Sequence, residues 1–309
     1  MLGAFWQAVG GKLADRWAAV SIPALVFWLG GLAAWAYHRG GVHTLTTQTR
    51  WLDQQTTATQ VTVILTVLLA VAASAVLVSR LATPTLRLLE GYWPSWTGPL
   101  RRRLTGRLAA RAAAEAPAWQ HAYTDMQPPA TPTVDQVATY TRLERRRRRQ
   151  PAAPAYFLPT PIGNILRAAE RRPADKYGLD TVALWPRLWL LLPDATRQEL
   201  LAARASLDNT VTAAIWGLLF CAFTPFTALA IPIGLAVTTV AITVVLPARA
   251  QVFGDLIEAA YDLHRSTLYR QLRWPLPANP AQEHLQGQQL TAYLWRGSDD
   301  TTPTFTPPT

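Results

Sequence analysis

The chain alternates between long apolar segments and polar, proline-rich ones. Residues 20–37 (VSIPALVFWLGGLAAWAY) and 61–79 (VTVILTVLLAVAASAVLVS) contain no charged residue. A helix rises ~1.5 Å per residue, so either segment would span about 27 Å, close to the ~30 Å of a membrane's hydrocarbon core. We therefore predict that both cross a membrane. The first could instead be a cleaved signal peptide, with Ala34-Trp35-Ala36 as a small-x-small site, but its length and the residues before it favour an anchor.

A third apolar stretch, residues 210–247, contains no ionisable group except Cys221. It is too long for one span, and Pro225 and Pro232 bracket a turn. The pattern therefore predicts two short spans joined by a tight hairpin. The alternative is a buried apolar hairpin in a soluble protein, although soluble cores rarely need so many consecutive apolar residues.

Helical patterns continue beyond these spans. Between the two hairpins, the sequence predicts a helix over residues 134–150 and another that begins at Thr160 and ends at Pro173. The fourth span is predicted to continue as a helix towards the C-terminus. A last helix is predicted to begin near Asn279.

These patterns define an expected architecture. The sequence predicts an all-α integral membrane protein, with four transmembrane helices in two hairpins, a helical cytoplasmic domain between them and C-terminal cytoplasmic helices. The predicted parts are an N-terminal helix with the first hairpin (1–79), the cytoplasmic domain (80–209), the second hairpin (210–247), the C-terminal helices (248–297) and a disordered tail (298–309).

The distribution of charge predicts the orientation. The chain has a net charge of +10. Residues 80–209 contain 20 Lys and Arg against 11 Asp and Glu, so this region carries nearly all of the excess. Because positively charged loops remain in the cytoplasm, both termini and the central region are expected on the cytoplasmic side of the membrane.

A basic amphipathic helix is predicted directly after the second span. Its leucines recur every four residues, at Leu100, Leu104 and Leu108, and arginines occupy much of the remaining surface. Such helices lie on anionic membrane surfaces or pack their leucines on a soluble core, and both interpretations remain open. The candidate interfacial anchors are the tryptophans Trp93, Trp96, Trp185 and Trp189. The last two lie in an apolar segment, residues 176–193, that could instead form the core of the cytoplasmic domain.

Five consecutive arginines raise the question of an anionic partner. The predicted anion or anionic-lipid contacts are Arg101, Arg102, Arg103, Arg107, Arg145, Arg146, Arg147, Arg148 and Arg149. No aromatic residue interrupts the run 145–149, whereas nucleic-acid readers often alternate basic and aromatic residues for stacking. We therefore expect a bilayer with anionic headgroups as the partner and regard nucleic acid as the less favoured one.

The sequence offers little chemistry. It contains no phosphate-binding glycine motif and no H-E-x-x-H or G-x-S-x-G pattern. Asp262 and His264 are two residues apart and would point in different directions on a helix, whereas Glu258 and Asp262 share a face. We interpret that face as a salt-bridged stripe. We expect no catalytic residues, no metal and no cofactor.

Three groups of residues resemble the signatures of a bacterial multi-pass membrane-protein family of uncharacterised function. They are LRLLEGYWP (86–94), GNILRAAE with YGLD and LWPRLW (163–189), and DLHR with LY and WPLP (262–277). The resemblance extends over most of the chain from Leu86 to Arg296. It implies a family architecture in a bacterial cytoplasmic (inner) membrane, and it implies no activity.

Three functional hypotheses follow. The favoured one is a non-enzymatic membrane protein that associates with itself, as a channel or scaffold, with its cytoplasmic domain coupled to spans three and four. The second is a membrane effector whose basic cytoplasmic domain senses nucleic acid or a nucleotide. The third is a membrane enzyme acting on lipid or envelope precursors, with Glu258, Asp262, His264 and Arg265 as its candidate residues.

Overall fold

A computed structural model of the chain describes residues 22–41, 54–129 and 131–307, and within these ranges the secondary structure is helical, without strands. The helices are α1 (Ile22–His38), α2 (Thr57–Glu90), α3 (Gly98–Thr124), α4 (Val134–Arg147), α5 (Pro161–Tyr177), α6 (Thr181–Leu191), α7 (Asp194–Phe220), α8 (Ala230–Val240), α9 (Leu246–Gln271) and α10 (Pro280–Arg296). A π-helical turn, Ala241–Val245, joins α8 to α9.

Three helical runs are long and apolar enough to cross a membrane: Thr57–Thr124, Asp194–Phe223 and Ala230–Gln271. The helix α1 is also apolar but shorter. The described chain therefore has the composition of a membrane protein. The described residues form two compact units, unit 1 (those up to residue 86 and 208–246) and unit 2 (those from 87 to 207 and from 247 onwards).

Unit 1 is built by close packing of small residues. Its buried cluster contains Ala24 of α1, Val71 and Ala75 of α2, and Trp216 of α7. A Cβ atom added to Gly234 of α8 would lie only 2.5 Å from the carbonyl oxygen of Gly217 in α7. Small residues let membrane helices approach closely, so this packing is typical of helices that associate within a bilayer.

Apolar side chains on the outside of unit 1 remain exposed. Leu69 of α2 is 68% exposed, Val26 of α1 is 64% exposed and Val244 is 62% exposed. Contiguous exposed apolar surface of this kind marks contact with a membrane or another protein rather than with water.

The core of unit 2 joins α5, α6, α7, α9 and α10. Leu184 and Leu188 of α6 are fully buried there against Tyr261 and Tyr269 of α9. The segment 176–193 therefore belongs to the core of this unit, as one of its two sequence interpretations had it. Its helix α6 begins where the carboxylate of Asp180 accepts hydrogen bonds from the backbone N–H groups of Val182 and Ala183.

Several helix ends agree with the sequence prediction because they depend on local chemistry. The Thr160 side chain caps α5 by accepting a hydrogen bond from Gly163, and Asn279 caps α10 by accepting one from Gln282. The predicted end of α5 at Pro173 is wrong. The helix continues through this proline to Tyr177 and ends at Gly178, whose φ of 71° is favourable for glycine.

The helix α2 is longer than the predicted span 61–79 and continues as one helix to Glu90, with Pro84 inside it. Part of the predicted disordered tail also contacts unit 2, since the Phe305 ring lies 6.2 Å from that of Trp274 and the Thr306 N–H donates to the Arg273 carbonyl at 2.9 Å.

Candidate membrane-surface site

The first half of α3 forms an exposed basic surface, which we call the basic arm (residues 98–111). Arg101, Arg102, Arg103 and Arg107 are exposed, and none makes an ion pair with another residue in the described ranges. Farther along the arm, Arg111 pairs with Glu115 at 3.2 Å. The four unpaired guanidinium groups are therefore free to bind an external anion.

Apolar side chains accompany this charge. Leu100 is 52% exposed and Trp96, just before α3, is 81% exposed. Leu104 and Leu108 are half-buried along the same ridge. A helix that carries unpaired arginines next to exposed leucine and tryptophan has the composition of an interfacial membrane helix. In the sequence, the basic arm begins shortly after α2, which contains one of the apolar spans.

The other three predicted tryptophan anchors are less exposed than Trp96. The indole N–H of Trp93 donates to the Leu88 carbonyl at 2.7 Å and thereby covers the end of α2. Trp185 and Trp189 pack partly buried against the core of unit 2, and the Trp185 ring lies 6.0 Å from that of Tyr261. Among the four predicted anchors, Trp96 is therefore the one with a freely exposed ring.

The arginine run at the end of α4 divides into two sets. Three members have partners inside unit 2. Arg146 pairs with Glu115 at 3.1 Å, and the Arg147 guanidinium carbon lies 3.7 Å above the centre of the Trp119 ring. Arg148 reaches Glu258 of α9 at 3.0 Å. These contacts hold α4 against α3 and α9, so part of the run has a structural role that the sequence does not reveal.

The other two members of the run remain available. Arg145 and Arg149 line a surface groove of about 430 Å³ together with Arg142, Arg146, Thr141 and Ala138. Neither makes an ion pair with any residue that the structure describes. Among the predicted anion contacts in this run, Arg145 and Arg149 are therefore the two that remain unpaired, and both line the groove on one side of α4.

An ion-pair network joins α5 to α9, and Glu258 lies at its centre. The Arg172 guanidinium donates to Glu258 at 2.6 Å, and Lys176 contacts the other carboxylate oxygen at 3.1 Å. Lys176 also reaches Asp262 at 3.0 Å, and the Tyr177 hydroxyl donates to Asp262 at 2.5 Å. The predicted salt-bridged stripe on α9 therefore exists, with partners on neighbouring helices.

The network shifts the pKa values of Glu258 and Lys176, which both lie outside the apolar segments predicted to span the membrane. Burial alone would raise the pKa of Glu258, but the hydrogen bond from Lys176 and the charge of Arg172 outweigh it and hold this pKa below its usual value. Burial alone would lower the pKa of Lys176, but its hydrogen bonds to Asp262 and Glu258 outweigh this effect and raise the pKa above its usual value. Both groups are charged at neutral pH.

The carboxylates of this region serve as salt-bridge partners. Asp262 is engaged by Lys176 and Tyr177, and Arg265 donates to Glu283 of α10 at 2.7 Å. Within the described ranges, no three His, Cys, Asp or Glu residues come together as potential metal ligands. This arrangement stabilises the packing of α5, α9 and α10.

Arg172 and Lys176 are the residues that sequence reasoning missed. A signal was present, because they lie at i and i+4 on α5 while Asp255, Glu258 and Asp262 lie at matching intervals on α9. Two helices with complementary charge at helical spacing are candidates for pairing.

Comparisons with protein-family models, curated proteins and solved structures found none that matches this chain. The family resemblance noted in the sequence therefore stays a prediction.

Proposed function

We propose that the protein is a non-enzymatic integral membrane scaffold whose basic arm rests on an anionic lipid surface. In this proposal, four transmembrane helices form two hairpins, and both termini and unit 2 lie on the cytoplasmic side of a bacterial inner membrane. The chain associates with copies of itself through its membrane helices. The observation that carries the proposal is the basic arm, with four unpaired arginines beside exposed Leu100 and Trp96.

The magnitude of the lipid attraction is sufficient for this role. An anionic leaflet attracts each basic residue near its surface by ~1 kcal/mol, so the four arginines would contribute about 4 kcal/mol at physiological salt if all reach it. Burial of the Trp96 and Leu100 side chains adds a further apolar contribution. Tethering by α2 removes most of the entropic cost of bringing the arm to the membrane.

Contacts within unit 1 favour a scaffold over a channel. The hydroxyl of Thr238 in α8, a polar group that could otherwise line a pore, lies within hydrogen-bond distance of the backbone carbonyls of Ala214 and Gly234, at 3.1 and 2.8 Å. Cβ atoms added to Gly30 and Gly31 would collide with the rings of Phe220 and Phe223. These small and polar residues are thus used in packing the helices of one chain.

Spin-label measurements would test the arm. The full chain, with Cys221 replaced by serine, carries a nitroxide at Leu104→Cys and is placed in nanodiscs. We expect the label to become more accessible to oxygen, which concentrates in lipid, when phosphatidylglycerol replaces phosphatidylcholine. Replacing Arg101, Arg102, Arg103 and Arg107 by glutamine should remove this lipid dependence.

A control label at the exposed Ala113 position should report water in both lipids, because nine residues place it on the opposite side of the helix from Leu104. An arm that behaves identically in both lipids would contradict the proposal. Self-association is tested separately by the mass of the chain in mild detergent. A strict monomer would exclude the self-associating form of the scaffold.

A further inference from the structure

A pocket lies between α5 and α10, remote in sequence from the basic arm. Its volume is about 550 Å³, within the ~300–1,000 Å³ that is usual for small-molecule sites. One wall is a single face of α10, formed by Gln288, Thr291, Ala292, Trp295 and Arg296. The opposite wall comes from Arg171, Ala174 and Gly178 at the end of α5, with Asp180 just beyond it.

Glycines fix the crossing of the two helices at one end of this pocket. A Cβ atom added to Gly287 would lie 1.9 Å from the Tyr177 carbonyl oxygen, and one added to Gly178 would lie 2.2 Å from that of His284. The Thr291 hydroxyl donates to the Gly178 carbonyl at 3.1 Å and accepts from the Asp180 N–H at 3.1 Å. These contacts fix the two walls, and the carboxylate of Asp180 is itself held as the cap of α6.

Two guanidinium groups face this space. Arg171 is held by the Tyr156 ring, 4.0 Å from its guanidinium carbon, and by Asp175 at 3.6 Å, yet its Nε is buried without a hydrogen-bond partner among the described residues. Arg296 makes no ion pair with a described residue.

An aromatic ring completes the site. Trp295 lines the pocket next to Arg296, and its side chain is 57% exposed. An exposed indole beside two arginines offers a stacking surface and an anion clamp within one cavity. Aromatic rings bind nucleobases through stacking, and planar guanidinium groups bind phosphate through paired hydrogen bonds.

We propose that this pocket binds a nucleoside monophosphate, with the phosphate between Arg171 and Arg296 and the base against Trp295. The polar side chains of Gln288 and Asp180 are placed to contact the sugar. This site would make the protein a nucleotide-binding membrane effector, the second of the three functional hypotheses. The pocket shares no residue with the basic arm, so the nucleotide proposal does not depend on the proposed lipid contact.

Calorimetric titration of the full chain in phosphatidylcholine nanodiscs would test the site. The probes are adenosine monophosphate, adenosine, inorganic phosphate and dihexanoyl phosphatidic acid. We expect adenosine monophosphate to bind saturably and more tightly than either adenosine or phosphate. Arg296→Gln and Trp295→Ala should each weaken its binding by about tenfold or more, because each removes one half of the recognition.

Two control variants are matched to these changes. Arg270→Gln removes an exposed arginine outside the pocket, and Leu285→Ala truncates an exposed apolar residue of α10 that does not line it. Both should leave the affinity unchanged. Trp295 and Arg296 lie at the exposed end of α10, so their replacement should not unfold the chain, and circular dichroism would verify this.

The proposal is overturned if adenosine monophosphate does not bind at millimolar concentration. It is also overturned if both pocket variants bind it as tightly as the native chain does. It is also overturned if dihexanoyl phosphatidic acid binds as tightly and Trp295→Ala does not weaken that binding. The site would then recognise a lipid phosphate and not a nucleotide.

Discussion

Replacing Glu258 by glutamine tests the role of the ion-pair network most sharply. The substitution keeps the size of the side chain and removes the negative charge that Arg172, Lys176 and Arg148 share. The side chains of Glu258 and Arg172 are only 12% and 14% exposed, so this pair is largely desolvated. The loss of its charge would leave the Arg172 guanidinium poorly compensated in a partly buried position.

The expected loss follows from this burial. Breaking a fully buried ion pair costs about 3–5 kcal/mol, whereas exposed pairs contribute about 0–1 kcal/mol. Glutamine can still accept a hydrogen bond, and Asp255 remains 3.3 Å from Arg172, so we expect a loss of about 2 kcal/mol in the free energy of unfolding of unit 2. For a unit of this size, that loss lowers Tm by about 4–8 °C.

Near-ultraviolet circular dichroism of the detergent-solubilised chain would record the loss of aromatic packing on heating. Arg111→Gln is the matched control, because it breaks an exposed pair and should lower Tm by about 1 °C. In a double-mutant cycle, Arg172→Gln combined with Glu258→Gln should be no worse than Glu258→Gln alone. If Glu258→Gln shifts Tm no more than Arg111→Gln does, the network does not stabilise unit 2.

Three further predictions concern pH and close packing. The pKa of Glu258 in the folded chain lies below its unfolded value of about 4.3, so its contribution to stability is present above that pH and is lost as the pH falls. The Tm difference between the native chain and Glu258→Gln should therefore shrink below about pH 4. Gly287→Ala should lower Tm, because the added Cβ would collide with the carbonyl oxygen of Tyr177 in α5. Gly106→Ala, whose added Cβ has open space around it, should instead raise the free energy of chemical unfolding by about 0.5–1 kcal/mol. Gly234→Val should disrupt unit 1 while Ala236→Val, exposed on the same helix, should not, as measured by the temperature at which the solubilised chain aggregates.

The features that the sequence predicted well are those set by neighbouring residues. Long apolar runs, the Thr160 and Asn279 caps and the continuation of the fourth apolar segment into α9 all depend on local pattern. Pro173 misled the prediction of a helix end, and Pro84 also lies inside a helix. Each proline removes one backbone hydrogen bond, and the packing of the surrounding helix compensates for that loss.

The candidate site was less accessible to sequence reasoning. Five identical arginines have different surroundings, because the turn of α4 directs Arg147 to Trp119 and Arg148 to Glu258 while Arg145 faces a groove. These partners come from helices far away in the chain. The pocket between α5 and α10 also depends on a helix crossing, which no short motif encodes.

The most direct test of the membrane account is cysteine accessibility in bacterial spheroplasts. In a Cys221→Ser background, single cysteines replace Thr105 in the basic arm, Thr227 between the last two apolar segments, and Ser298 after α10. A membrane-impermeant thiol reagent should label only position 227 in intact spheroplasts and all three positions after lysis. Labelling of positions 105 or 298 in intact spheroplasts would contradict the account.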